Sequence, residues 1–175
     1  MADPHIKSKM DWLDYVTVIA YRLGFTLAAP AILLLPWEVE TGIPAQQLTF
    51  LAAMLCASSL HIYMKNFRLI LQAATWGGLI CAIFGFPLFG LGGAFVTLGG
   101  LCFKEYFCFR VPGLRAQPIL LAALWLALVL NATLTAPMVV QGLAALSALL
   151  FLVTAVAKWR MPLHFDIGDK TKYEV

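Results

Sequence analysis

The sequence predicts an all-α fold, a polytopic transmembrane bundle of six helices whose N- and C-termini both lie on the cytoplasmic or stromal side. Three observations lead there. Of the 175 residues, 62% are hydrophobic and only 12% are charged, whereas soluble domains run near half apolar and a quarter charged. All of the 12 Lys and Arg residues except Arg22 fall in four clusters separated by long apolar stretches: Lys7 and Lys9; Lys65 and Arg68; Lys104, Arg110 and Arg115; and Lys158, Arg160, Lys170 and Lys172. The connections over 36–47, 85–90 and 132–137 carry no cation, the first holding only Glu38 and Glu40. Cytoplasmic loops of membrane proteins are enriched in Lys and Arg, so each cluster belongs on one side and the chain crosses an even number of times. Six spans of about 20 residues consume most of the chain and leave no room for a soluble domain.

The elements follow in order. The opening MADPHIKSKMDW lacks the pattern of a cleaved secretory signal, and the first span is expected to stay in the mature protein, over about 13–35 between the interfacial anchors Trp12 and Trp37. Asp11 and Asp14 suit the positive end of its helix dipole, and Pro36 stops it. A second span over 46–64 turns at Lys65-Asn66-Phe67-Arg68 into a third over 69–84. The uncharged Gly85-Phe86-Pro87-Leu88-Phe89-Gly90 reads as a tight turn at the far interface. The fourth span, 91–103, is short for a bilayer and needs either local thinning or a continuation into the charged, aromatic run Lys104–Arg110, which suits the headgroup level. The fifth covers 117–134 and the sixth 137–157, completing a single bundle over 1–160, and residues 161–175 form a polar cytoplasmic tail.

Glycines recur seven residues apart, Gly78 with Gly85 in the third span and Gly92 with Gly99, and Gly93 with Gly100, in the fourth. Inside lipid, strips of small residues let helices approach closely and gain dispersion contacts, so spans three and four should form the tightest hairpin. No repeat of propeller or solenoid period occurs.

Few residues carry chemistry. Arg22 lies about 13 Å below the start of its span at 1.5 Å per residue, a costly depth for a guanidinium. Snorkelling toward the cytoplasm, a polar contact inside the bundle and a substrate or partner site are all open to it. No Asp or Glu falls within the apolar cores, so no buried ion pair is expected from the spans; helix carbonyls, Tyr21, Asn131, Gln141, a lipid phosphate or another chain's carboxylate remain as partners. His61, near the cytoplasmic end of span two, has no intramembrane histidine to share a haem with, since His5 and His164 sit in the tails. It reads as an interfacial hydrogen-bonding group, with magnesium of a chlorophyll as the one cofactor its imidazole suits. Lys104 and Glu105 read as solvated rim charges, Glu105 reaching Arg110, or as recognition groups for a partner subunit. Cys56, Cys81, Cys102 and Cys108 lack metal or thioredoxin spacing, and no metal site is expected. Asn131-Ala132-Thr133 matches a glycosylation acceptor but lies against the membrane. No hydrolase, zincin, P-loop or dinucleotide fingerprint occurs, so no catalytic residue is assigned and a non-enzymatic protein is expected. The cations form no continuous patch, which argues against nucleic acid.

Three segments together, Leu60-His61-Ile62-Tyr63-Met64-Lys65, Phe103-Lys104-Glu105-Tyr106-Phe107-Cys108-Phe109 and Asp166-Ile167-Gly168-Asp169-Lys170, resemble a family of integral membrane proteins from cyanobacteria and plastids known as domain of unknown function 2301. The resemblance implies a multi-pass protein of the thylakoid or plasma membrane and brings no activity with it. It implies that His61, Lys65, Lys104, Glu105 and the 166–170 segment converge on the cytoplasmic face. If the tail folds back there, Asp166 and Asp169 are placed to pair with Lys65, Arg68 or Arg110. The expected role is a membrane subunit or assembly factor docking photosynthetic or respiratory membrane proteins; a small transporter or channel and a pigment- or lipid-binding protein are the alternatives.

Overall fold

The computed structural model describes residues 9–130 and 136–173. Asn131, Thr133 and the end assigned to the fifth span at 134 lie outside those residues, as do Lys7 and His5. The described residues form helices and no strand. Helix α1 spans Trp12–Leu34, the short α2 Glu38–Thr41, α3 Ala45–Ala57, α4 Lys65–Ile83, α5 Pro87–Phe109, α6 Gln117–Leu130, α7 Pro137–Arg160 and the short α8 His164–Ile167. Four helices are long and apolar enough to cross a membrane: α1 with its continuation to Thr41, α4, α5 and α7. Helix α3 and the segment 114–130 are apolar but shorter.

Local chemistry explains the boundaries. Asp11 caps α1 through the Asp14 amide, and the Asp14 carboxylate accepts from the Asp11 amide in return, satisfying two donors left open at a helix start. Pro87 and Pro137 occupy the first positions of α5 and α7, where a missing N–H costs nothing. Arg110 ends α5 in the left-handed region at φ 49°. The chain runs on through Gly113, at φ 85°, into α6.

Several boundaries differ from the sequence expectation: α4 begins at Lys65 rather than 69, α5 begins at Pro87 within the stretch 85–90 read as a turn, and α7 runs on to Arg160. Helix α3 stops at Ala57, with Ser58 hydroxyl bonded back to the Met54 carbonyl at 2.7 Å, so residues 58–64 are a connection rather than the end of a span. Helix α5 continues six residues past Phe103, because nothing in Lys104–Phe109 breaks a helix. Of the two ways of lengthening the short fourth span, continuation into Lys104–Phe109 is the one the helix takes.

Successive long helices pack antiparallel. Gly24 of α1 lies against Ala52 and Cys56 of α3, and Phe25 against Phe151 of α7. Between α4 and α5, Gly78 meets Gly90 and Gly93, while Thr75 and Thr97 hydroxyls bond at 2.6 Å. Thr97 passes its own proton to the Leu71 carbonyl at 2.8 Å. Gly92 and Gly99 face α6 instead, against Trp125 and Pro118. Of the two glycine pairs in α5, Gly93 and Gly100 therefore face α4, at Ala74, Gly78 and Leu71, and Gly92 and Gly99 face α6. Gly85 belongs to neither: at φ 90° with open space beyond it, it makes the turn after α4, a conformation that favours glycine. With this packing, the starts of α1, α4 and α6 and the ends of α3, α5 and α7 gather at one end of the bundle. The described Lys and Arg residues lie at that end.

Candidate functional site

At the cation-rich end, five charged groups meet beneath the C-terminal segment. Lys158 of α7 donates to Glu105 Oε2 of α5 at 2.9 Å and to Asp166 Oδ1 of α8 at 2.5 Å. Arg22 of α1 donates through Nε to Asp166 Oδ2 at 2.7 Å, and through its two terminal nitrogens to the carbonyls of Met161 at 2.8 Å and Pro162 at 3.1 Å. Tyr21 hydroxyl donates to Glu105 Oε1 at 2.7 Å, and Lys104 reaches the same oxygen at 3.2 Å. The side chains of Arg22, Glu105 and Lys158 are each 1% exposed; that of Lys104 is 26% exposed. Aromatic rings close the sides, with Lys158 Nζ 4.8 Å from the Tyr21 centroid and 5.6 Å from that of Phe109, and Arg22 Cζ 5.8 Å from Trp159, distances at which a cation is attracted to a ring face.

This geometry resolves the cost of Arg22. The residue sits deep in α1 but level with the ends of α3 and α7, since Cys56 Sγ approaches the Tyr21 carbonyl and Trp159 Nε1 donates to Thr26 Oγ1 at 2.9 Å. The first turns of α1 extend past that level and are lined by the tail. A buried ion pair, unexpected from the apolar spans, exists because α5 carries Glu105 inward and the tail carries Asp166 back. Glu105 pairs with Lys158 and not with Arg110, and it is buried rather than solvated. Asp166 pairs with Arg22 and Lys158, not with Lys65, Arg68 or Arg110. Lys158 is the participant that sequence reasoning missed, having been counted with the closing basic cluster.

The tail is fixed at further points. Asp169 N–H donates to Tyr63 Oη at 2.8 Å, and its carboxylate accepts from Thr171 N–H and hydroxyl, with Lys172 at 3.8 Å. Lys170 pairs with Asp14, which raises the lysine's pKa. Tyr173 stacks edge-on against Tyr63 with centroids 5.0 Å apart. Arg68 donates to the Ile62 carbonyl at 3.2 Å, bracing the 58–64 connection, and Lys65 stands exposed at the start of α4.

Between this connection, the last turns of α5 and the tail lies a pocket of about 600 Å³, within the range of small-molecule sites. Its wall is mainly apolar, including Ile62, Met64, Phe107, Cys108, Phe165 and Ile167, and His61, Lys104, Glu105 and Asp166 supply its polar groups. His61 Nε2 is buried there without a hydrogen-bond partner. Burial, reinforced by the Lys104 charge, lowers the His61 pKa to about 4, so the imidazole is neutral near pH 7. Because the unfolded chain then binds a proton more readily than the native one, stability rises with pH across the interval from about 4 to 6.5. Thermal unfolding at pH 5 and pH 7 is expected to show a loss on acidification that is smaller in His61→Phe. Equal slopes in the two proteins would refute that assignment. Among the described residues, no group of His, Cys, Asp and Glu is arranged to hold a metal ion.

Comparison with known proteins agrees with the membrane character of the fold. Residues 85–175 match the family described as uncharacterized integral membrane protein, DUF2301. The whole chain is 58% identical over 177 aligned residues, covering all of both sequences, to an uncharacterized protein of Haemophilus influenzae. That relative removes the expected restriction to cyanobacteria and plastids, and with it the support for a thylakoid location and a photosynthetic role. No solved structure matches the chain. A family match over half the chain and a full-length relative at this identity place the protein in the DUF2301 family of integral membrane proteins.

Proposed function

We propose that this chain is a membrane-embedded binding protein which receives an amphiphilic molecule in the pocket at its cation-rich end. The observation that carries this reading is the pocket itself: an apolar cavity of about 600 Å³ whose few polar groups include a buried, unpartnered His61 Nε2. Binding rather than catalysis is favoured because both carboxylates are already occupied, Glu105 by Lys158, Tyr21 and Lys104, and Asp166 by Arg22 and Lys158. A general base needs a free position from which to take a proton. Native mass spectrometry of the full chain, extracted in mild maltoside detergent, is expected to show a co-isolated amphiphile that Cys108→Trp expels by filling the pocket. A wild-type protein that holds none and takes none up would overturn the reading.

The proposal places six helices across the membrane, with both chain ends on the cytoplasmic side of a plasma membrane, supported by the gathering of cations at one end and by Glu38 and Glu40 at the other. In a background lacking the four cysteines, Glu38→Cys and Lys172→Cys should react with an impermeant maleimide from opposite sides. Labelling of both from the same side refutes that topology. The outward face of α4, with Leu69, Ile70, Trp76, Ile80 and Ile83 exposed, favours a second reading, an accessory subunit that docks another membrane protein. A photo-crosslinker at Ile80 in native membranes captures a single protein chain in that case and only lipid otherwise.

A further inference from the structure

We propose that the pocket selects an anionic head group, a carboxylate or phosphate monoester carried on an apolar chain, with Lys104 as its counter-charge and His61 Nε2 as its hydrogen-bond partner. This rests on the amphiphile-binding reading and adds the sign and chemistry of the head. The charge balance of the cluster points to it. Three cations, Arg22, Lys104 and Lys158, face two carboxylates, Glu105 and Asp166, so one positive charge is in excess where neighbouring groups are shielded from water. The carboxylate oxygens are committed: Glu105 Oε2 to Lys158, Glu105 Oε1 to Tyr21 and Lys104, Asp166 Oδ1 to Lys158 and Asp166 Oδ2 to Arg22.

Of the three cations, Lys104 is held least. It has one carboxylate contact, the longest in the cluster at 3.2 Å, and a ring contact with Tyr21 at 5.2 Å. An ammonium carries three donors, and this one is partly exposed on the pocket wall. Glu105 and Asp166 line the same pocket, but their side chains are 1% and 2% exposed, so they present little bare carboxylate to repel an anion. His61 completes the site. Its Nε2 is buried without a partner, a costly state for a polar atom, and in the Nε2–H tautomer a small rotation of the ring brings a donor to an anion's oxygen. Phosphate and carboxylate both offer several acceptors to such a pair of donors, and the apolar wall takes the chain.

The test is native mass spectrometry of the full chain in neutral maltoside at pH 8, titrated with dodecanoate, dodecyl phosphate, dodecanol, dodecyltrimethylammonium and inorganic phosphate. We expect both anionic amphiphiles to bind about tenfold or more tightly than dodecanol, as a charge-assisted hydrogen bond implies, and the ammonium to bind more weakly than the alcohol. Inorganic phosphate alone should not bind. Lys104→Met, checked for an unchanged melting temperature, should bring the two anions to the alcohol's affinity and leave dodecanol unaffected; Lys104→Gln serves if the methionine variant misfolds. The comparison of probes on the unaltered chain depends on no variant. Equal affinity for dodecanol and the anions, or indifference to loss of Lys104, overturns the anionic head while the amphiphile pocket stands. Failure of all four amphiphiles to bind overturns both. Inorganic phosphate binding as tightly as dodecyl phosphate shows a site for the free ion and overturns the chain-borne ligand.

Discussion

Replacing Asp166 by alanine is expected to destabilise the protein by about 3–5 kcal/mol, the usual cost of removing one partner from a buried ion pair. The carboxylate serves two cations at once. Without it, Arg22 keeps only the carbonyls of Met161 and Pro162, and Lys158 keeps only Glu105, so positive charge is left buried and undercompensated. The same change removes the contact that draws α8 against α1. Trypsin should then cut at Lys170 and Lys172 at protein concentrations and times that leave the wild type intact, and the melting temperature in detergent should fall. Asp166→Asn keeps an acceptor for Arg22 and should lose less. Asp169→Ala is the control: its carboxylate bonds within the tail and to Lys172 on the surface, where such pairs contribute about 0–1 kcal/mol. Equal losses for Asp166→Ala and Asp169→Ala would mean that the buried network does not hold the tail.

This arrangement ties the stability of the tail to the shape of the pocket. Asp166, Phe165 and Ile167 are both tail residues and pocket wall, so a tail that lifts also opens the site. The ion pairs themselves are not an efficient source of stability, because desolvating them offsets much of their attraction. They specify where a short C-terminal segment lies, which packing of a four-residue helix alone would do weakly.

Much of the fold was legible and the site was not, for identifiable reasons. The helix starts at Trp12 and Pro137 follow from an acidic first turn and from a proline that tolerates only the first turn, whereas Pro87, read as part of a turn over 85–90, instead opens α5. The clustering of cations anticipated which helix ends lie together. Hydropathy, however, ends a span at the first charge, and that rule misplaced Glu105: the apolar run stops at Phe103, but the helix continues through Phe109 and the tail then covers it. Depth counted along α1 made Arg22 look unpartnered, since the count takes no account of where α3 and α7 stop. His61 was assigned to a span because 46–64 carries no Asp, Glu, Lys or Arg, yet the helix ends before Ser58 and leaves the imidazole on a connection. Glu105, Lys158 and Asp166 meet from three elements, and no spacing within one helix encodes that meeting. Their signal was chemical: in an acid-poor chain, Glu105 follows Lys104 at the end of an apolar run and Asp166 stands in an otherwise apolar Phe165–Ile167 stretch, at the same rim as a lysine ending a long apolar helix.

Gly93→Ala should be among the most damaging single-methyl additions in the bundle, while Gly77→Ala, sixteen residues earlier on the neighbouring helix, should be neutral or stabilising. A Cβ at position 93 would stand 2.3 Å from the Ala74 carbonyl oxygen and 3.0 Å from Gly78 Cα. Both obstacles are backbone, so α4 and α5 must separate to admit it. Overpacking of this kind costs about 1–3 kcal/mol for a small addition, and Gly93→Val should exceed that. Position 77 has nothing within 4 Å; alanine there gains helix propensity of up to about 1 kcal/mol. Thermal unfolding of the three variants in one detergent measures the order. The displacement also has a consequence at the site, because α5 carries Gly93 against α4 at one level and Lys104 and Glu105 at the rim three turns on. Forcing the two helices apart should loosen the Glu105–Lys158 contact and reduce amphiphile uptake along with stability. A Gly93→Ala protein that melts as the wild type does would show that α4 and α5 do not approach at van der Waals distance, and the placement of the rim by that contact would fall with it.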